Sequence, residues 1–127
     1  MEGYEPVVTG GNIRIANEVV GTIAGLAASE VKGVAGMSGG VVDGLAELLK
    51  KKNMAKGVKV EVGERQAAVD LYVILEYGAR VPDVAYKIQE NVKRAIESMT
   101  GLEVVEVNVH IQGVEFKPEE AEEGRIR

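Results

Sequence analysis

His110 is the single histidine of the chain, and the alternation around it sets it on one side of a strand with Asn108 and Gln112. Glu61, Asp70, Glu76 and Glu106 fall on the matching, polar side of their own segments. An imidazole beside a carboxylate is the smallest unit that does general acid–base work, because the carboxylate orients the ring and sets its tautomer. Nothing in the spacing adds a nucleophile or a metal site to such a pair. Zero cysteines remove thiolate nucleophiles, disulfides and cysteine-held metals together, and the phosphate-loop pattern G-x-x-x-x-G-K-[ST] is missing. Alternating carboxylates are also what the wet face of a sheet carries for solubility alone. No catalytic, cofactor-binding or metal-ligating residue is assigned on these grounds, and no cofactor is expected.

Two hydrophobic periods must position those residues. From Val81 the apolar residues Val81, Val84, Ala85, Ile88, Val92, Ala95, Ile96 and Met99 recur at helical spacing, and Gly101 ends the run. Pro82 suits a first helical turn, where its missing N–H is not needed. From Val105 the period becomes two, with Val105, Val107, Val109 and Ile111 on one face and Glu106, Asn108, His110 and Gln112 on the other. Upstream, Val58, Val60 and Val62 alternate with charged residues, as do Ala67, Val69, Leu71, Val73, Leu75 and Tyr77 with Asp70, Tyr72, Ile74 and Glu76. The short Gly63–Gln66 connection predicts an antiparallel hairpin. The helix that follows makes the last strand parallel to 67–77 through a β-α-β crossover.

The first half reads as a brief strand over Asn12–Ile15 and a helix whose apolar face carries Ala16, Val19, Val20, Ile23, Leu26, Ala27 and Val31. Gly21 and Gly25 within it point to close packing. Val34–Met37 is a minor strand or loop, and Val42, Leu45, Leu48 and Leu49 form a second, shorter helical stripe. These elements predict an α+β fold in two layers, with helices packed on one face of a small mixed β-sheet. Residues 1–117 are expected to form one domain and residues 118–127 a flexible charged tail.

A chain of 127 residues with 46% hydrophobic and 28% charged residues has the composition of a globular domain. The most apolar run, Val19–Val31, is about half the length a membrane span needs, so no span is expected. The lead Met1–Pro6 carries two glutamates and no basic segment, which predicts a cytoplasmic chain. The net charge of −5 makes nucleic acid an unfavourable partner, since binding it requires cations against phosphate. Gly36-Met37-Ser38-Gly39 nonetheless fits the G-x-x-G of an RNA-clamping loop, and with the Lys50–Lys56 region it defines a rival, RNA-binding reading. Lys50, Lys51 and Lys52 are also favourably placed at the end of a helical stripe, or near anionic lipid headgroups. Tyr72 and Ile74, with Val104 and Val114 at the ends of the last strand, put apolar surface on the open face of the sheet. With His110 and the three lysines, Tyr72 and Ile74 are the candidate interaction residues.

Longer blocks carry more specific information. The run Gly11-Asn12-Ile13-Arg14-Ile15-Ala16-Asn17-Glu18-Val19-Val20, continuing through Ile23–Ala27 and Glu30–Met37, resembles the alkaline-shock family of envelope stress response proteins of Gram-positive bacteria. So do Glu76-Tyr77-Gly78, Val81–Ala85, Ile88–Val92 and Met99–Val114, in that order. The resemblance covers residues 4–114. It implies a non-catalytic cytoplasmic protein that maintains the cell envelope, peripheral at the inner face of the membrane through a membrane-anchored partner, and self-associating into a homo-oligomer. It brings no catalytic residues to carry over, and Val42–Lys56 and Pro118–Arg127 are where members of that family differ.

The stripe of the later helix has to lie on the sheet, because an isolated helix of this kind is marginal without a buried face. Ile88→Asp is predicted to abolish cooperative folding. An unchanged thermal midpoint in circular dichroism would show that Ile88 faces water.

Overall fold

A computed structural model describes residues 11–38 and 57–116. The helical stripe anticipated over Val42–Leu49 and the charged tail from Pro118 lie outside the described residues. Everything described is built around one strand, β3 (Gln66–Glu76), whose residues alternate between buried and half-exposed along nearly its whole length. Ala67, Val69, Leu71, Val73 and Leu75 are each at most 2% exposed. This period-two pattern arises because successive side chains leave a strand on opposite faces.

Both edges of β3 are used. β4 (Glu103–Glu115) runs parallel along one edge, from Gln66↔Glu103 to Glu76↔Glu115. Two short antiparallel strands share the other edge. β2 (Val58–Val62) pairs with Ala67–Leu71 through a tight turn closed by the Gly63 N–H to Gln66 C=O bond, 2.7 Å. β1 (Val34–Met37) pairs with Val73–Leu75. They meet at Tyr72, whose N–H donates to Gly57 C=O and whose C=O accepts from Ser38 N–H, both at 2.8 Å. The hairpin and the parallel β3–β4 pairing follow the alternation in the sequence, and the sheet is mixed as predicted.

Two helices cover the apolar face. α1 (Asn17–Ser29) packs on β2, β1 and β3, and α2 (Val81–Thr100) packs on β4 and α1. Val84, Ile88, Val92 and Ile96 of α2 are buried, one per turn, with Ile88, Val92 and Ile96 at 0% exposure. Gly101 closes α2 in the left-handed conformation, φ 79°, and returns its N–H to Glu97 C=O at 3.0 Å. Asn91 Nδ2 donates to Ala27 C=O at 2.7 Å and so fixes α2 to α1. The fold is α+β, with helices on one face of the sheet and no described element on the other.

Several expectations need correction. Asn12–Ile15 forms no strand; β4 and the two antiparallel strands already occupy the edges of β3, and Ile13 is left 85% exposed. The buried face of α1 is rotated from the predicted one. Gly21, Ala24, Gly25 and Ala28 lie inside, whereas Val19 and Leu26 are each 47% exposed. Wedged between the sheet and α2, α1 turns its smallest side chains inward and lets backbones approach closely. Val81 and Met99 overhang the core at the two ends of α2, and Tyr77 falls just beyond β3; all three are exposed. Val105 leaves the core face because a bulge sets Ala67↔Val104 beside Ala68↔Glu106, with Val105 as the extra residue.

Gly33 connects α1 to β1 at φ +102°, and its C=O accepts from Glu76 N–H at 2.8 Å. A Cβ there would come within 2.8 Å of Val84 Cγ2, a side chain held in the core. Gly33→Ala is expected to cost about 2–4 kcal/mol, combining left-handed strain with a forced shift of Val84. Gly78→Ala, at φ +97° with nothing within 4 Å of its Cβ position, isolates the conformational part. Urea denaturation should show Gly33→Ala clearly less stable than Gly78→Ala; equal losses would mean that the contact with Val84 carries no cost.

Candidate functional site

The open face of the sheet assembles its polar row from three strands in register. Lys59 of β2 stands opposite Asp70 of β3, which stands opposite Asn108 of β4, and Tyr72 stands opposite His110. Pleating puts all of these on the side away from the helices. Asp70 Oδ1 receives a hydrogen bond from Asn108 Nδ2 at 3.0 Å and lies 3.3 Å from His110 Nε2. Asn108 also donates to Glu106 Oε2 at 3.1 Å. The imidazole stacks on the Tyr72 ring, with centroids 4.4 Å apart and planes 10° from parallel, and Lys59 Nζ lies 5.6 Å from the same ring. The hydrogen bond with His110 holds the Asp70 carboxyl below its ordinary value. The bond from Asn108 and the charges of His110 and Lys59 act in the same direction.

The strand parity thus brings together His110, Asp70, Glu106 and Tyr72. It leaves the pair on a surface, since the His110 and Asp70 side chains are 41% and 39% exposed. A cleft of about 590 Å³ lies between the segment entering α1 and the β2–β3 turn, lined by Asn12, Arg14, Asn17 and Glu64 among others. Neither it nor two lesser clefts includes His110, Asp70 or Tyr72. Among the described residues no three histidine, aspartate or glutamate side chains converge to hold a metal ion. Ile74 is on this face, its Cδ1 about one van der Waals contact from the space above Gly113. Val104 is not; it is 3% exposed, on the core side opposite Ala67, because the bulge at Val105 shifts parity. Val114 stands opposite Leu75, on the core side by register, and is nonetheless exposed. Lys50, Lys51, Lys52 and Lys56 lie outside the described residues.

The glycine-rich segment changes its meaning. Gly36 and Met37 belong to β1 and pair with Ile74 and Val73, so the first half of Gly36–Gly39 is a strand and not a free clamping loop. The expectation that no spacing in the chain supplies a nucleophile turn needs correction, because Gly36-Met37-Ser38-Gly39-Gly40 fits G-x-S-x-G. Ser38, just past the end of β1, and His110 of β4, however, lie on opposite edges of β3, with Tyr72 between them. Two strand spacings, about 9–10 Å, separate them, far beyond the reach of a serine–histidine hydrogen bond. Among the described residues the Asp70–His110–Tyr72 group lies on the exposed face of the sheet.

The sequence profile of the ASP23 family, described as having a cell envelope-related function, matches residues 6–116. YqhY of Bacillus subtilis is 42% identical over 106 residues, covering 84% of this chain and 78% of that protein. A stress response regulator gls24 homolog of Streptococcus pyogenes is 36% identical over 108 residues, which are 84% of this chain and 60% of that longer protein. Among solved structures, the MamM CTD in a nickel form aligns over 77% of this chain and 99% of its own, with 17% identity and a TM-score of 0.48. Among the described residues no helix is long and apolar enough to cross a membrane.

Because Asp70 is depressed in the folded state, its contribution to stability is complete above the unfolded carboxylate value of about 4 and is lost as pH falls through the folded value. Asp70→Asn should therefore lower the thermal midpoint at pH 6–7, with the gap to the parent chain narrowing below about pH 4. A gap that stays constant across that range would show that the bonds from His110 and Asn108 do not favour the ionised carboxylate.

Proposed function

Since this chain belongs to the alkaline-shock, or ASP23, family, a stress-response family with a cell envelope-related function, we propose that it is a non-catalytic, self-associating adaptor that docks on a membrane-anchored protein partner. It works at the inner face of the membrane without spanning it. The observation that carries this reading is the uncovered side of the sheet, where Tyr72, Ile74 and His110 form an ordered, half-exposed row that no described element covers. Surfaces of this kind are used for recognition, since a reaction needs a site that excludes water and aligns several groups. The His110–Asp70 pair fits the same role: its hydrogen bond and the stacked Tyr72 hold the imidazole in one orientation for contact. Lys50, Lys51 and Lys52 supply cations suited to an anionic membrane surface close to that partner.

A photo-crosslinking residue at Ile74 in a Gram-positive host tests the docking. The expected product contains a protein with a membrane-spanning segment, and its yield falls when Tyr72→Glu is added. Light scattering over a dilution series should show the mass falling toward that of the 13.5 kDa chain. Recovery of RNA in place of protein, or a mass that never exceeds the monomer, would overturn the adaptor reading.

A further inference from the structure

β4 is an edge strand among the described elements, and only half of its outer edge is protected. Three side chains from successive turns of α2 reach over the first half. Glu97 Oε2 accepts from Val104 N–H at 2.9 Å, Lys93 Nζ donates to Val104 C=O at 3.4 Å, and Gln89 Nε2 donates to Val107 C=O at 3.0 Å. The next residue up the same stripe is Ala85, which has nothing to donate. Backbone groups of a strand alternate between its two edges, so with Val107 directed outward, Val109 and Ile111 are outward as well. The segment Val107–Gly113 contains no Lys, Arg, Asp, Glu or Pro, the residues with which exposed edges are normally blunted.

We propose that this open edge is a homodimer interface, at which a second copy of the chain adds its own β4 antiparallel about a two-fold axis through His110. It rests on the self-associating reading above and supplies the surface for it. Val109 and Ile111 each exchange both backbone bonds with Ile111 and Val109 of the second copy, four hydrogen bonds in all. The alternative axis through Val109 would need the Val107 C=O already held by Gln89, so the cap disfavours that register. In this register the contacts are reciprocal, as a two-fold interface requires. Half-buried Val109 and Ile111 pair on the helix side, Asn108 comes opposite Gln112, and His110 comes opposite His110. On the open face the stacked Tyr72 and His110 rings are then continued by those of the second copy into one row of four.

The full chain has no cysteine, so one introduced thiol reports the register directly. Residue 110 would be a pair without mutual backbone bonds, with Cα atoms about 4.5 Å apart, inside the range a disulfide spans. His110→Cys should give a covalent dimer under mild oxidation with glutathione disulfide, several-fold faster than exposed Glu61→Cys on the far edge of the sheet. In sedimentation equilibrium, His110→Lys and His110→Glu should each weaken association at least ten-fold, and an equimolar mixture of the two should restore it. If the parent chain associates but 110 crosslinks no faster than 61 and the charge pair restores nothing, this edge is not the interface and the adaptor reading stands on another surface. If the parent chain is monomeric up to about 1 mM, self-association and this interface both fall.

Discussion

One strand carries the structure: β3 contributes five consecutive inward side chains to the core and lends both of its edges to other strands. Its parity decides what each neighbour can show. Residues in register with Ala67, Val69, Leu71 and Val73 lie on the helix side, and those in register with Asp70, Tyr72 and Ile74 lie on the other. A one-residue slip would exchange the two sets and put carboxylates against Ile88 and Val92. The helices reinforce that choice, since their apolar faces find enough area only on one side of the sheet.

That dependence explains what was legible in the residues alone. The alternations at Val58–Val62 and Ala67–Leu75 and the one-per-turn spacing of Val84, Ile88, Val92 and Ile96 are direct images of burial on one face, and the structure follows them. The His110 side of β4 was legible for the same reason. Period arguments failed where the period itself breaks. The extra residues at Val105 and between Ile111 and Gly113 are bulges, and nothing in a run of valines marks which one will be skipped. α1 misled in another way: a helix with two partners buries its small residues, so Val19 and Leu26 looked like core while Ala24 and Ala28 filled it. The Asp70–His110–Tyr72 contacts depend on the register between β3 and β4, which parity narrows but does not fix.

The same register separates a surface from a site. Ser38, just past β1, and His110 of β4 flank Tyr72 from opposite edges of β3, two strand spacings apart. A flat sheet spaces its side chains by fixed steps of about 5 Å across and about 7 Å along. Groups on such a grid meet only where strands are in register, as Asp70, Asn108 and His110 do.

The caps on β4 come from the helix that precedes it in the chain, and this ties their arrival to the order of folding. The β2–β3 hairpin is local and forms without help from later residues, whereas the parallel ladder must wait until α2 has crossed the sheet. Gln89, Lys93 and Glu97 can cover Val104 and Val107 only once that crossing is complete. A chain caught earlier would present the bare edge of β3 and invite indiscriminate strand addition. Completed packing therefore covers the first half of that edge and leaves Val109–Ile111 without a side-chain cap among the described residues.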